Sequence, residues 1–194
     1  VDIRKSFYSL IPDGFNKKLT QKLIRFYISK LEKNPHLHDK IEFEILLTCY
    51  DLNTDKKLVE LRETGFTDKE IAQIRNELLS FTNKIISQFP TFASKCTSSL
   101  QQLSEKREII LKNAHLKKDH HTQIDCIEKL LRYGRELGTI QFATMARIAF
   151  ISSTILKSLK NNNVIEDSEI EGFMNIIQSP LSEIQNDLEL YINK

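Results

Sequence analysis

The sequence predicts an all-α protein: about seven helices in a bundle-like domain (16–194) behind a short extended N-terminal arm (1–15). Three observations carry this. Five glycines and four prolines in 194 residues are far below the roughly 12% of ordinary proteins, too few for a many-turned sheet. Apolar residues recur at spacings of three and four over long runs. Several of those runs open on residues that cap helices.

The elements follow in order. In "VDIRKSFYSLIPDGF", Val1, Ile3 and Phe7 alternate with polar neighbours, and Pro12 and Gly14 close the segment; this gives the extended arm. From Asn16 the period changes, and Leu19, Leu23, Phe26, Tyr27 and Leu31 mark a helix through Lys33. "NPHLHDKIEFEILLTCY" (34–50) offers Asn34 as N-cap and Pro35 at the first helical position, so a helix is expected there too. "GFTDKEIAQIRNELLSFTNKIISQFP" carries a capping box, Thr67 with Glu70. It continues through Ile71, Ile74, Leu78, Phe81, Ile85 and Phe89 until Pro90 is expected to stop it. A more polar helix follows, through Leu100, Leu103, Ile110 and Leu111.

Another helix runs from Asp119 to about Glu136, bracketed by Gly134 and Gly138. Residues 139–156 are apolar around the whole circumference apart from Arg147, which predicts a central, buried helix. Its polar residues Gln141, Thr144 and Ser152 argue against a membrane span. After "KNNNV" a last helical stretch holds Ile170, Phe173, Met174, Ile176 and Ile177. It is interrupted by Pro180 and resumes through Leu181, Ile184, Leu188 and Tyr191. Met145 and Met174 are expected to fill the core.

Charge and cysteine content bound the function. With 28 basic and 26 acidic residues, the chain lacks the one-signed field that holds nucleic acid or an anionic membrane. The basic stretch "LKNAHLKKDHH" contains no aromatic residue for base stacking and reads as a solvated connection between helices. Cys49, Cys96 and Cys126 show neither a CxxC pair nor a zinc spacing, so reduced, mostly buried thiols in a cytoplasmic protein are expected. A chain beginning at Val1 without a basic, apolar leader is expected to be part of a longer protein.

Two groups of residues invite a chemical reading. On a helix His38 and Glu42 share a face, the nearest approach to a metal pair, with His36 and Asp39 close by. A catalytic metal wants a third protein ligand, and only His120 or His121 could supply one, from a distant segment. The expectation is first-turn residues and no metal. Arg147 on an apolar helix needs a partner, because an unpaired buried guanidinium is prohibitive. Glu42 and Glu44, embedded in "KIEFEILL", are the expected partners in a buried ion pair. No G-x-S-x-G, Walker loop or dinucleotide fingerprint is present, and no catalytic residue is expected.

The strings "VDIRKSFYSLIP", "NPHLHDKIEFEILLTCY", "ELLSFTNKII", "GTIQFATMARIAFISSTILKSL" and "FMNII" occur in this order. Together they resemble the helical middle region of phosphoenolpyruvate synthase-like, PEP/pyruvate-binding proteins, relatives of pyruvate phosphate dikinase. The resemblance spans nearly the whole chain, although none of the strings is a catalytic signature. It implies a larger parent enzyme, an ATP-dependent transferase of kinase type. In that family an ATP-grasp domain binds ATP with Mg²⁺, a swivelling domain carries a phosphohistidine, and a barrel exchanges the phosphoryl group between pyruvate and PEP. This chain has no Thr-x-Gly-Gly tract before a histidine and no Gly-rich ATP loop. Ser179-Pro180 also departs from the uninterrupted helix of the family.

The resemblance therefore implies a non-catalytic helical connector whose partners are the neighbouring ATP-grasp and phosphohistidine domains. It implies no cofactor in this segment, and it makes Arg4 and Arg147 the candidates for a phosphate or inter-domain contact. The alternatives are an independent helical protein–protein interaction domain and a small metal enzyme built on His38 and Glu42.

Overall fold

The computed structural model describes residues 3–12, 14–116 and 119–176. Among them are seven α-helices and no strand: α1 (Ile3–Leu10), α2 (Lys17–Lys33), α3 (Thr54–Glu63), α4 (Asp68–Leu116), α5 (His120–Tyr133), α6 (Ile140–Asn161) and α7 (Asp167–Ile176). The all-α expectation is met. The chain divides into two compact units, Val1–Thr154 and Ile155–Lys194.

In the first unit, α1 stands where an extended arm was expected. Phe7 and Ile11 are four apart, and a helical turn brings both into the core beside Phe15. The alternation of Val1, Ile3 and Phe7 is equally a helical i, i+4 pattern at Ile3 and Phe7, and core packing decides between them. α2 matches its prediction at both ends, and the Asn16 side chain accepts a hydrogen bond from the Leu19 N–H at 2.9 Å. Leu19, Leu23, Ile24 and Tyr27 form its buried face. They meet Leu58 and Leu61 of α3, and Ile71, Ile74 and Leu78 of α4.

The stretch 34–50 is neither helix nor strand. Asn34 ends α2, Pro35–Leu37 makes one 3₁₀ turn, and Ile41–Ile45 makes one π-helical turn closed by Leu46 N–H to Ile41 C=O at 3.0 Å. Leu46 is already extended. The helix stops because side chains elsewhere take the next N–H groups. The Leu47 N–H donates to the hydroxyl of Tyr27 at 3.2 Å, and the Tyr50 N–H donates to Thr82 Oγ1 at 2.8 Å. Tyr27 is 1% exposed, and its ring meets Phe7 edge-on at 6.2 Å. Tyr27→Phe keeps the packing but leaves the Leu47 N–H without its acceptor. It is expected to cost about 1–2 kcal/mol, measurable by urea unfolding with an unchanged slope.

The capping box at the head of α4 forms as expected: the Thr67 N–H donates to Glu70 Oε2 at 2.9 Å, and the Glu70 N–H to Thr67 Oγ1 at 3.3 Å. Lys22 adds an ion pair to Glu70 at 2.6 Å and donates to the Gly65 carbonyl at 3.0 Å, where α3 ends. The Lys22 ammonium and the Thr67 N–H together lower the Glu70 carboxyl from 4.5 to about 2. A depressed carboxyl stabilises the fold above its unfolded value, and that contribution disappears as pH falls through the folded value. Glu70→Gln should therefore be less stable than the parent at neutral pH. The gap should close between pH 4.5 and about 2, as followed by acid titration of helical circular dichroism.

α4 runs 49 residues through Pro90, about 74 Å at 1.5 Å per residue, where two helices were expected. Proline removes the bond to the Ile86 carbonyl. Pro90 is exposed, so water can take that carbonyl and the helix continues. At the other predicted break, Gly134–Thr139 forms a π-helical turn that joins α5 to α6 without interruption. Gly138 lies so close to α4 that an added Cβ would sit 3.2 Å from Leu103 Cδ2.

The C-terminal half of α4 and the α5–α6 run form an antiparallel hairpin. Its register is read from the Cys96 thiol on the Gln141 carbonyl, from Cys126 on the Ile110 carbonyl, each at 3.7 Å, and from the Gln123 amide on the Ala114 carbonyl at 2.9 Å. All three cysteines are free and buried.

The expectation that α6 is buried all round needs correction. Ile148 and Ile151 are buried, while Ile140 and Phe142 are 56% and 76% exposed. Met145 is only half-buried. The continuous run His120–Asn161 is long and apolar enough, by length and composition, to cross a membrane. That differs from the sequence reading, which weighed only 139–156.

In the second unit the end of α6 turns at Asn163, whose φ of 55° is left-handed. The Val164 N–H reaches the Leu159 carbonyl and the Asn163 N–H the Lys160 carbonyl, a Schellman closure with asparagine at the usual glycine position. Glu169 then accepts the Glu166 N–H at 2.9 Å to open α7. Met174 is exposed, and not the core residue expected. Ile177, Pro180, Leu181, Ile184, Leu188 and Tyr191 lie outside the described residues.

Candidate functional site

Arg147 projects from α6 and reaches the C-terminal end of α1. Its guanidinium donates to the carbonyls of Ser9 (Nη1, 2.9 Å) and Leu10 (Nη2, 2.6 Å) and lies 5.2 Å from the centroid of the Phe81 ring on α4. The last carbonyls of a helix have no intrahelical partner and carry partial negative charge, so a cation there is favoured twice. The side chain is half-buried. One residue thus ties three helices of the first unit, beside an edge-on contact between Phe43 and Phe150 at 5.3 Å.

The expected buried ion pair needs correction on burial: Glu44 is exposed and Glu42 half-buried, because the π-helical turn at 41–45 directs Ile45 inward. His36 and His38 are exposed in the turns after α2, and His38 Nδ1 lies 3.2 Å from the Pro35 carbonyl. His38 and Glu42 do not share a helix, since the first caps the end of the 3₁₀ turn and the second belongs to the π turn. His120 and His121 open α5, about 57 Å along α4 from the core residue Leu78. Among the described residues no group of three or more His, Cys, Asp or Glu could hold a metal ion.

Arg4 lies in a surface groove of about 400 Å³ between α1 and α2. Arg4 and Tyr8 form one rail, four residues apart on α1. Gln21, Arg25, Ser29 and Glu32 form the other, at helical spacing on α2. Two guanidiniums, a phenol, an amide and a hydroxyl give this groove donors for a carboxylate or phosphate. Glu32, at one end, opposes a highly charged anion. Sequence reading found Arg4 but missed Arg25, whose place opposite Arg4 depends on how α1 docks. The repeat Gln21, Arg25, Ser29 was the available signal: polar positions on the far side of the helix from Leu19, Leu23 and Tyr27.

A second polar cluster was missed altogether. Asp51 is buried before α3, and its carboxylate accepts from Thr54 Oγ1 (2.9 Å), the Asn53 N–H (3.0 Å) and Lys57 Nζ (2.6 Å). Thr54 Oγ1 in turn accepts the Asp51 N–H at 2.7 Å. Burial, and then the Asp51 charge, push the nearby Cys49 thiol up to about 11, so it stays protonated at neutral pH and is a poor nucleophile. This cluster starts a helix, and its donors and acceptors are mutually engaged.

No family model, curated protein or solved structure matches this chain.

Proposed function

We propose that this chain is a non-catalytic helical connector of a phosphoenolpyruvate synthase-like phosphotransferase, the reading that its sequence resemblance implies. The observation that best supports it is the use to which Arg147 is put: the charge on the apolar helix holds α1 against α6 and α4. Groups invested in holding helices together build a rigid frame. Phosphoryl transfer depends on positioning, and a frame between an ATP-grasp domain and a phosphohistidine domain sets the distance the phosphorylated histidine travels. The groove between Arg4 and Arg25 is the proposed contact for an acidic segment or phosphate group of a neighbouring domain. ATP and Mg²⁺ belong to the parent's other domains, and the setting is cytoplasmic.

The test is an assay of the complete open reading frame for pyruvate-dependent conversion of ATP to AMP and phosphate. Activity that falls when Arg4 and Arg25 are both changed to Gln, with the fold intact, supports the connector and its contact. ATP turnover indifferent to pyruvate would refute the reading. The second reading, an independent interaction domain, is favoured by the exposed apolar side chains of α4 and α5, among them Ile86, Leu100 and Leu131. A reading frame with neither ATP-grasp nor phosphohistidine sequence would select it.

A further inference from the structure

The α4–α5 hairpin has one apolar side, and we propose that it is covered by the same side of a second copy of this chain. Ile86, Phe89 and Leu100 of α4 and Ile124, Ile127 and Leu131 of α5 are between 43% and 71% exposed. Counting about 100° per residue from Cys96, which faces α6, the three α4 residues lie about 20–80° round the helix. Counted from Cys126, which faces α4, the three α5 residues lie about 100–160° round in the same rotational sense. Because the two helices are antiparallel, the same sense places both sets on the same side of the hairpin.

Along α4 this side has a heptad rhythm, Leu79, Ile86, Ala93 and Leu100, and the positions interleaved with it through Ser104 are uncharged. Charged residues of this part of the helix, such as Lys84, Lys95 and Glu105, fall elsewhere on its circumference.

Three considerations select a second copy as the occupant. A two-helix hairpin gives each helix only one neighbour, and two hairpins placed face to face close a four-helix bundle in which both rows are covered. A two-fold axis lying in the plane of that interface brings the apolar side against its own copy, the isologous arrangement of most dimers. An uncharged row meets itself without like-charge repulsion. The hairpin is paired from Cys96 to Ala114, about 27 Å long and two helices, about 20 Å, wide. That offers about 540 Å² per partner, or about 1,100 Å² in total, just above the roughly 1,000 Å² that a specific interface requires. The inference does not depend on the phosphotransferase reading and survives its failure.

The test is sedimentation velocity of the 194-residue chain from 1 to 100 µM. The expected result is a dimer that Ile127→Asp combined with Leu131→Asp weakens at least a hundredfold, with unchanged helical circular dichroism. Ile109→Asp is the control: Ile109 is 60% exposed but lies about 140° round α4 in the opposite sense, so its dimer should be unaltered. Should the α5 double variant lose helicity, Leu100→Gln on the facing helix repeats the measurement. A monomer at every concentration overturns the proposal, as does a dimer that Ile109→Asp breaks and the α5 variant does not. Flotation of a monomeric parent with phosphatidylcholine–phosphatidylglycerol vesicles, abolished by the α5 variant, overturns it in favour of a lipid surface.

Discussion

Arg147→Met is expected to destabilise the first unit by about 2–3 kcal/mol. The change keeps an unbranched apolar side chain but removes the guanidinium from the Phe81 ring and two charge-assisted hydrogen bonds, to the carbonyls of Ser9 and Leu10. Each such bond contributes about 1.5–3 kcal/mol. The sum is reduced because Ser9 is exposed and water can replace the lost donor at its carbonyl. The loss should concentrate in α1, whose C-terminal carbonyls no longer face a cation. Urea unfolding measures the total, and hydrogen exchange of the α1 amides measures the share that is local. Arg147→Lys should recover only part, since one ammonium cannot span two carbonyls as the guanidinium fork does. A variant of parental stability that nonetheless abolishes the activity proposed for the full-length protein would instead assign Arg147 to a functional contact.

Asp51→Ala should cost about 3 kcal/mol, the largest effect expected of any single substitution considered. The carboxylate is almost wholly inaccessible and serves three donors. Truncation leaves the Asn53 N–H and Thr54 hydroxyl without their acceptor in a dry setting, and removes the N-terminal anion of α3. The figure sits at the low end of the buried-pair range of about 3–5 kcal/mol, because Lys57 is 35% exposed and regains water. Asp51→Asn keeps the acceptor oxygen and should cost about half as much. Both variants should also lower the Cys49 thiol from about 11, since the Asp51 charge is one of the two influences that raise it. Thiolate absorbance against pH reads this directly.

Local signals were legible in the sequence and long-range ones were not. Asn16, the Thr67–Glu70 box and Asp119 were all read as helix starts, and each cap forms. A cap satisfies backbone groups within three residues of itself and needs no tertiary context. The stretch 34–50 failed because its N–H groups are claimed by Tyr27 and Thr82, at separations no periodicity contains. Pro90 misled because proline's cost depends on which side of a helix it occupies.

Seven helices were expected and seven are described, yet the agreement in number hides exchanges. α1 and α3 were gained, 34–50 was lost, and two predicted helices are one α4. At the candidate site, the importance of Arg147 was legible from its apolar setting. That its guanidinium reaches main-chain carbonyls at the end of α1 was not, because any oxygen in the fold could have met the same need.

The clamp joins residues 137 and 138 positions apart, and this has a consequence for biosynthesis. At about 5–20 residues per second, roughly 7–30 s elapse between translation of α1 and translation of the arginine that fastens it. Through that interval the nascent amino-terminal helix is held only by its core contacts, Phe7 and Ile11 among them, and its last carbonyls still lack the arginine. The last helix of the first unit, and not the first, closes the structure.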